Sequence, residues 1–121
     1  LIVDSFGKMD KLYNKSDIVF LGGSFCKNGG HNPIEAAVEN CAIITGPHVF
    51  NWQNIYEDML NKKSCIMIYE PKELEIEIIK LINNLQLIKH LKDNAFTFSK
   101  NIFFEEKKLL SLLNKKLRSN V

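Results

Sequence analysis

The side chains best suited to chemistry in this chain gather around one glycine-rich stretch, running from Gly22 through Ser24, Lys27, Gly30 and His31 to Glu35. The chemistry they suit is the holding of an anion. Ile18 to Leu21 is a short apolar run of the kind a parallel sheet buries on both faces, and the glycines that follow allow a sharp turn or the close approach of a ligand. Asn32 then reads as a helix N-cap and Pro33 as the first helical residue, where a missing N–H costs nothing. The unpaired N–H groups of such a helix start, together with the positive end of its dipole, form a ready phosphate site.

Glu35 lies three residues after the cap and has two readings. In a capping box its carboxylate reaches back to the Asn32 N–H and serves the helix alone. In a ribose clamp it accepts hydrogen bonds from the two hydroxyls of a nucleotide sugar, as acidic residues do in other nucleotide folds. Lys8, following Gly7 at an expected helix start, is either a phosphate partner or a solvated first-turn lysine. His31 is a ligand contact, a proton donor or a brace for its own loop. His48 follows Gly46-Pro47 where a strand ends, so it faces sugar or acceptor unless Asn51 and Trp52 hold it as a corner. Ser24 can bond a donor phosphate or satisfy its own turn. No catalytic triad, metal-ligand cluster or pair of catalytic carboxylates is visible elsewhere.

The elements needed to position these residues alternate along the chain. Strands are expected at Leu1–Val3, Ile18–Gly22, Ala42–Thr45 and Cys65–Tyr69. Helices are expected from about Lys8 to Lys15, Asn32 to Glu39, Asn51 or Trp52 to Lys62, and from Glu70-Pro71 through Leu74, Ile78, Leu81, Ile82 and Leu85. Helical pattern then continues from about Leu87, with a break expected near Asp93-Asn94 and a last helix from about Lys100 to Leu117. Alternation of this kind predicts an α/β fold with a parallel sheet and right-handed crossovers, one Rossmann-like half domain. The last helix mixes Phe103, Phe104, Leu109, Leu110, Leu112 and Leu113 with several lysines. It reads as a core-packing helix with a solvated lysine face in preference to a membrane-surface helix.

The chain has 121 residues, 45% of them hydrophobic and 25% charged, which is the balance of one globular domain. That length is short for a two-domain enzyme, and with no initial methionine the expectation is an excised piece. A net charge of +2 is too small to argue for nucleic acid. Cys26, Cys41 and Cys65 show neither paired spacing nor a zinc pattern, so reduced thiols are expected. No apolar run nears the roughly 18 residues of a membrane span, and the piece is expected to be soluble.

Three motifs carry a family resemblance: Asp4-Ser5-Phe6-Gly7-Lys8-Met9, then Gly-Gly-Ser with Gly29-Gly30-His31-Asn32-Pro33-Ile34-Glu35-Ala36-Ala37, then Gly46-Pro47-His48-Val49-Phe50-Asn51-Trp52. In this order they resemble the C-terminal part of the 3-deoxy-D-manno-octulosonic acid (Kdo) transferases, in motif terms as far as about Glu57 and more loosely to the end. The resemblance implies the donor-binding part of a glycosyltransferase of two Rossmann-like domains (GT-B type). It implies that Phe6, Gly7, Lys8, Asn32, Pro33, Ile34 and Glu35 line a CMP site; Ser24, Lys27, Gly30, His31 and His48 stand beside it as candidate donor contacts. Many related transferases carry an acid eight positions before the ribose-binding glutamate. Lys27 stands there instead, where a cation favours the carboxylate of Kdo.

The parent is expected to be an inverting enzyme that transfers Kdo from CMP-Kdo to lipid A precursor at the cytoplasmic face of the bacterial inner membrane. Its catalytic base, its acceptor contacts and most of its membrane attachment are expected on an N-terminal domain, with no catalytic residue in this chain and no metal or other cofactor. The alternatives are the donor domain of another nucleotide-sugar transferase or epimerase, and a non-catalytic nucleotide-binding module. A dinucleotide dehydrogenase fits less well, because no G-x-G-x-x-G follows a strand.

Overall fold

A computed structural model describes residues 2–4, 13, 15–22 and 29–119. Four strands, β1 (Ile2–Asp4), β2 (Ile18–Leu21), β3 (Ala42–Thr45) and β4 (Ile66–Met67), form one sheet in the order β1-β2-β3-β4. All three pairings are parallel, with Val3 opposite Val19, Val19 opposite Ile43 and Ile44 opposite Ile66. The expected α/β class and parallel sheet are therefore present. β2 and β3 are buried along their whole length, as strands covered on both faces must be.

Successive side chains alternate between two cores. Val19, Leu21 and Ile43 point into one, where they meet Ile34, Ala36 and Ala37 of α1 (Ile34–Val38) and Tyr56 and Met59 of α2 (Gln53–Asn61). Ile18, Phe20, Ala42 and Ile44 point into the other, against Leu74, Ile78 and Leu81 of α3 (Lys72–Ile82). The crossing helices α1 and α2 thus share one face, as two crossovers of the same hand stepping across a sheet must. A one-turn 3₁₀ helix, Phe50–Trp52, leads into α2.

The last helix, α4 (Leu85–Ser119), is a single helix of 35 residues, and the break expected near Asp93-Asn94 does not occur. Neither residue is a glycine or proline, and both are held inside the helix by what surrounds them. Leu91 packs into the second core while Ala95 and Phe98, one and two turns on, pack into the first. The Asn94 side chain donates to the Lys63 carbonyl at 3.0 Å instead of turning back on its own backbone. Lys92 pairs with Asp17 at 2.8 Å just ahead of β2. The helix therefore crosses beneath the N-terminal edge of the sheet, joining the two cores.

Other boundaries differ by less. β4 is two residues long where Cys65–Tyr69 was expected, because the Tyr69 and Glu70 N–H groups donate to Glu73 Oε1 at 3.3 and 3.1 Å as the cap of α3. Ile82 and Leu85 are exposed, lying where α3 ends and α4 begins. The core-packing reading of the last helix fails after Ile102: Phe104, Leu109, Leu110, Leu112, Leu113 and Leu117 are all exposed. Among the described residues, no helix is long and apolar enough to cross a membrane. The helix expected over Lys8–Lys15 lies outside the described residues apart from the helical Tyr13 and the turn residue Lys15.

Candidate functional site

Because β2 and β3 are parallel, the segments that leave their C-terminal ends emerge at one edge of the sheet. There the structure brings two of the three sequence motifs into contact. The Asn51 N–H donates to the Gly29 carbonyl at 3.2 Å, and Gly29 and Gly30 lie directly against residues 48–51. Both glycines have positive φ, +83° and +81°. A Cβ on Gly29 would collide with the Asn51 and Phe50 side chains, and one on Gly30 would press on Val49 and the His48 carbonyl at 3.1–3.3 Å. Both positions therefore need glycine for conformation, and Gly30 needs it for space as well, since backbone atoms of His48 and Val49 crowd it.

Tyr56 fixes the same loop from below. Its side chain is fully buried and its hydroxyl donates to the His31 carbonyl at 2.8 Å. Burial pushes the phenol well above its ordinary pKa, so the hydroxyl keeps its proton and remains a donor. Sequence reasoning placed Tyr56 only within a helix and missed this role. Its signal was a lone hydroxyl one helical position from Ile55 on an otherwise apolar face.

At the start of α1 the cap is direct. Asn32 Oδ1 accepts from the Ile34 N–H at 3.0 Å. Pro33 has helical dihedrals, and its carbonyl accepts from the Ala37 N–H at 3.0 Å. By geometry Asn32 is thus the N-cap and Pro33 the first helical residue, one residue ahead of the hydrogen-bonded helix. Pro33 and Ile34 are buried, so any ligand above them meets backbone there. Pro33 has no N–H and that of Ile34 is engaged, which makes the Glu35 amide the first one an anion would meet.

The capping question has an internal control. Glu70-Pro71-Lys72-Glu73 repeats the Asn32-Pro33-Ile34-Glu35 pattern of cap, proline and glutamate. At α3, Glu73 closes a capping box by accepting from the Glu70 N–H. At α1, among the described residues, no such bond joins Glu35 to Asn32. The Glu35 carboxylate is exposed and lines a groove of about 410 Å³ with Asn32, Val38, Trp52, Ile55 and Phe103.

His31 is half-buried beside the pinned loop, and His48 is exposed on the turn that docks against Gly30. Phe6, Gly7, Lys8, Ser24 and Lys27 lie outside the described residues, as does Cys26. Cys41 and Cys65 are free and buried. Desolvation raises their thiols to about 11 and about 12, which makes them inert packing residues. Among the described residues, no group of three or more His, Cys, Asp or Glu side chains is placed to hold a metal ion.

Comparison with known proteins agrees with this geometry. No family model matches the chain. The 3-deoxy-D-manno-octulosonic acid transferase of Haemophilus influenzae is 30% identical over the whole chain, and that of Rickettsia prowazekii is 37% identical over 90% of it. A bifunctional glycosyltransferase/methyltransferase of Fusobacterium nucleatum is 31% identical over 93%. The chain spans only 29%, 23% and 16% of the lengths of these three proteins. In fold it is similar to the C-terminal CMP-Kdo binding domain of WaaA from Acinetobacter baumannii, with a TM-score of 0.71 and 25% identity, covering 79% of this chain and 50% of that one. The resemblance carried by the motifs thus extends along the whole chain and to its fold: the chain is a relative of the Kdo transferases, corresponding to a fragment of them.

Proposed function

We propose that this chain is the donor-binding part of a Kdo transferase and that it holds CMP-Kdo at the edge where the Gly29-Gly30 loop meets residues 48–51. The observation that carries the proposal is the α1 junction, where Asn32 supplies the cap and the exposed Glu35 carboxylate, which closes no cap among the described residues, lines a groove. In this reading Glu35 grips the ribose hydroxyls, the Glu35 amide and the neighbouring loop meet the phosphate, and Pro33 and Ile34 contribute through backbone. Phe6, Gly7 and Lys8 complete the CMP site from the preceding strand's end. Ser24, Lys27, Gly30, His31 and His48 face the sugar and its carboxylate.

The parent enzyme then transfers Kdo to lipid A precursor with inversion at the anomeric carbon. Its acceptor hydroxyl is deprotonated by a carboxylate from the N-terminal part, at the cytoplasmic face of the inner membrane. This chain binds nucleotide weakly by itself and catalyses nothing, since it supplies neither base nor acceptor site. Incubating the parent with CMP-Kdo and lipid A precursor tests the proposal. Formation of Kdo-modified lipid is the expected result, and transfer from a UDP-sugar with CMP-Kdo left intact would refute it.

A further inference from the structure

At the last residue of β3 a polar side chain stands where the pattern of the strand calls for an apolar one. Ile43 points into the core shared with α1 and α2, and Thr45, two residues on, lies on the same face of the sheet and is fully buried. Tyr56 of α2 is fully buried in that core as well. Each of these hydroxyls holds a backbone carbonyl, and the two carbonyls belong to different sequence motifs. Thr45 Oγ1 donates to the Gly46 carbonyl at 3.2 Å, two residues before His48, while the Tyr56 hydroxyl donates to the carbonyl of His31 itself at 2.8 Å. The hydroxyls are also neighbours: Thr45 can turn its single proton to the phenol oxygen, an interaction that draws the phenol pKa down against the larger effect of burial. One pair of buried hydroxyls thus joins the turn that carries His48 to the loop that carries His31.

We infer that Thr45, acting with Tyr56, is a positioning residue of the donor site: the pair sets the turn at 46–48 and the His31 loop relative to one another, so that both meet the same ligand. The inference rests on the proposed donor site and deepens it. Stability alone does not account for a threonine here. Valine has nearly the same shape, suits a strand as well, and brings no polar group that needs a partner in the core. What the hydroxyl adds is a directional bond, which fixes the path of the chain as it leaves the strand. The other contacts between the two segments, from the Asn51 N–H to the Gly29 carbonyl and from Gly30 to Val49 and the His48 carbonyl, act on Gly29 and Gly30. The hydroxyl pair acts one residue further on, at His31.

Two substitutions in the full-length parent separate positioning from packing. Thr45→Val removes the hydroxyl and keeps the shape, so CMP should bind roughly threefold or more weakly while the unfolding midpoint stays near that of the wild type. Thr45→Ser keeps the hydroxyl and removes a buried methyl, so the midpoint should fall while CMP affinity stays within about twofold of the wild type. Thr45→Val combined with Tyr56→Phe should bind CMP no more weakly than Tyr56→Phe alone, because the two hydroxyls act as a unit. Hydrogen exchange of the amides of residues 29–35, followed without nucleotide, should be roughly threefold or more faster in Thr45→Val and unchanged in Thr45→Ser. Affinity that follows stability, with Thr45→Ser the weaker binder, would overturn the inference. So would additive losses in the double variant, or wild-type exchange rates in Thr45→Val. A wild-type parent that binds no CMP would refute the donor reading instead, and the exchange rates would still decide whether Thr45 sets the loop.

Discussion

A single hydroxyl and two glycines decide where the loop before α1 sits. Tyr56→Phe removes the buried hydroxyl that donates to the His31 carbonyl, a loss of about 1 kcal/mol. Denaturant unfolding should show that loss, and CMP affinity should fall with it as the loop loosens. Gly30→Ala forces a side chain into a left-handed conformation with Val49 in the way, costing at least about 1–2 kcal/mol. Among the ionisable groups, the Lys92 ammonium bonded to the Asp17 carboxylate holds that carboxyl below its ordinary value. A carboxylate whose folded pKa is depressed stabilises the protein above its unfolded pKa and loses that contribution as pH falls through the folded value. Asp17 is largely exposed, so Asp17→Asn should cost no more than about 1 kcal/mol at pH 7. Titrating stability of both proteins should show the difference vanish once the pH falls below the ordinary carboxylate range.

At the scale of elements, the α1 cap and the α3 cap make a paired prediction. Asn32→Ala should destabilise by about 1 kcal/mol, and Glu73→Ala by a similar amount, since each removes a bond the structure shows. Glu35→Ala should cost far less in the same thermal unfolding measurement, because among the described residues Glu35 closes no cap. The strands β2 and β3 were legible in sequence as β-branched runs closed by glycine, and their boundaries match within a residue. The N-cap at Asn32 was legible for the same reason, local chemistry acting on local backbone. What the sequence did not reveal depends on contacts distant in the chain. Asp93-Asn94 carries a turn-like composition, yet Leu91 and Ala95 on either side belong to two different cores and keep the helix running. The role of Tyr56 required knowing that His31 lies above it, 25 residues away in sequence.

The whole molecule is one sheet with a core on each face, a helix strapping its N-terminal edge, and a loop cluster gathered at the opposite edge. The candidate ligand site lies at the C-terminal ends of the strands, the placement expected of open α/β sheets, and α4 reaches it too, since Phe103 lines the Glu35 groove. The central claim is that the ligand is a cytidine nucleotide gripped by Glu35, and titration of the full-length parent with CMP, wild type against Glu35→Gln, tests it most directly. A carboxylate accepting hydroxyl bonds contributes about 1.5–3 kcal/mol per bond before compensation, so the variant should bind CMP tenfold or more weakly while its unfolding midpoint stays unchanged. Equal affinities in two equally folded proteins would contradict the account and leave Glu35 as a surface residue of α1.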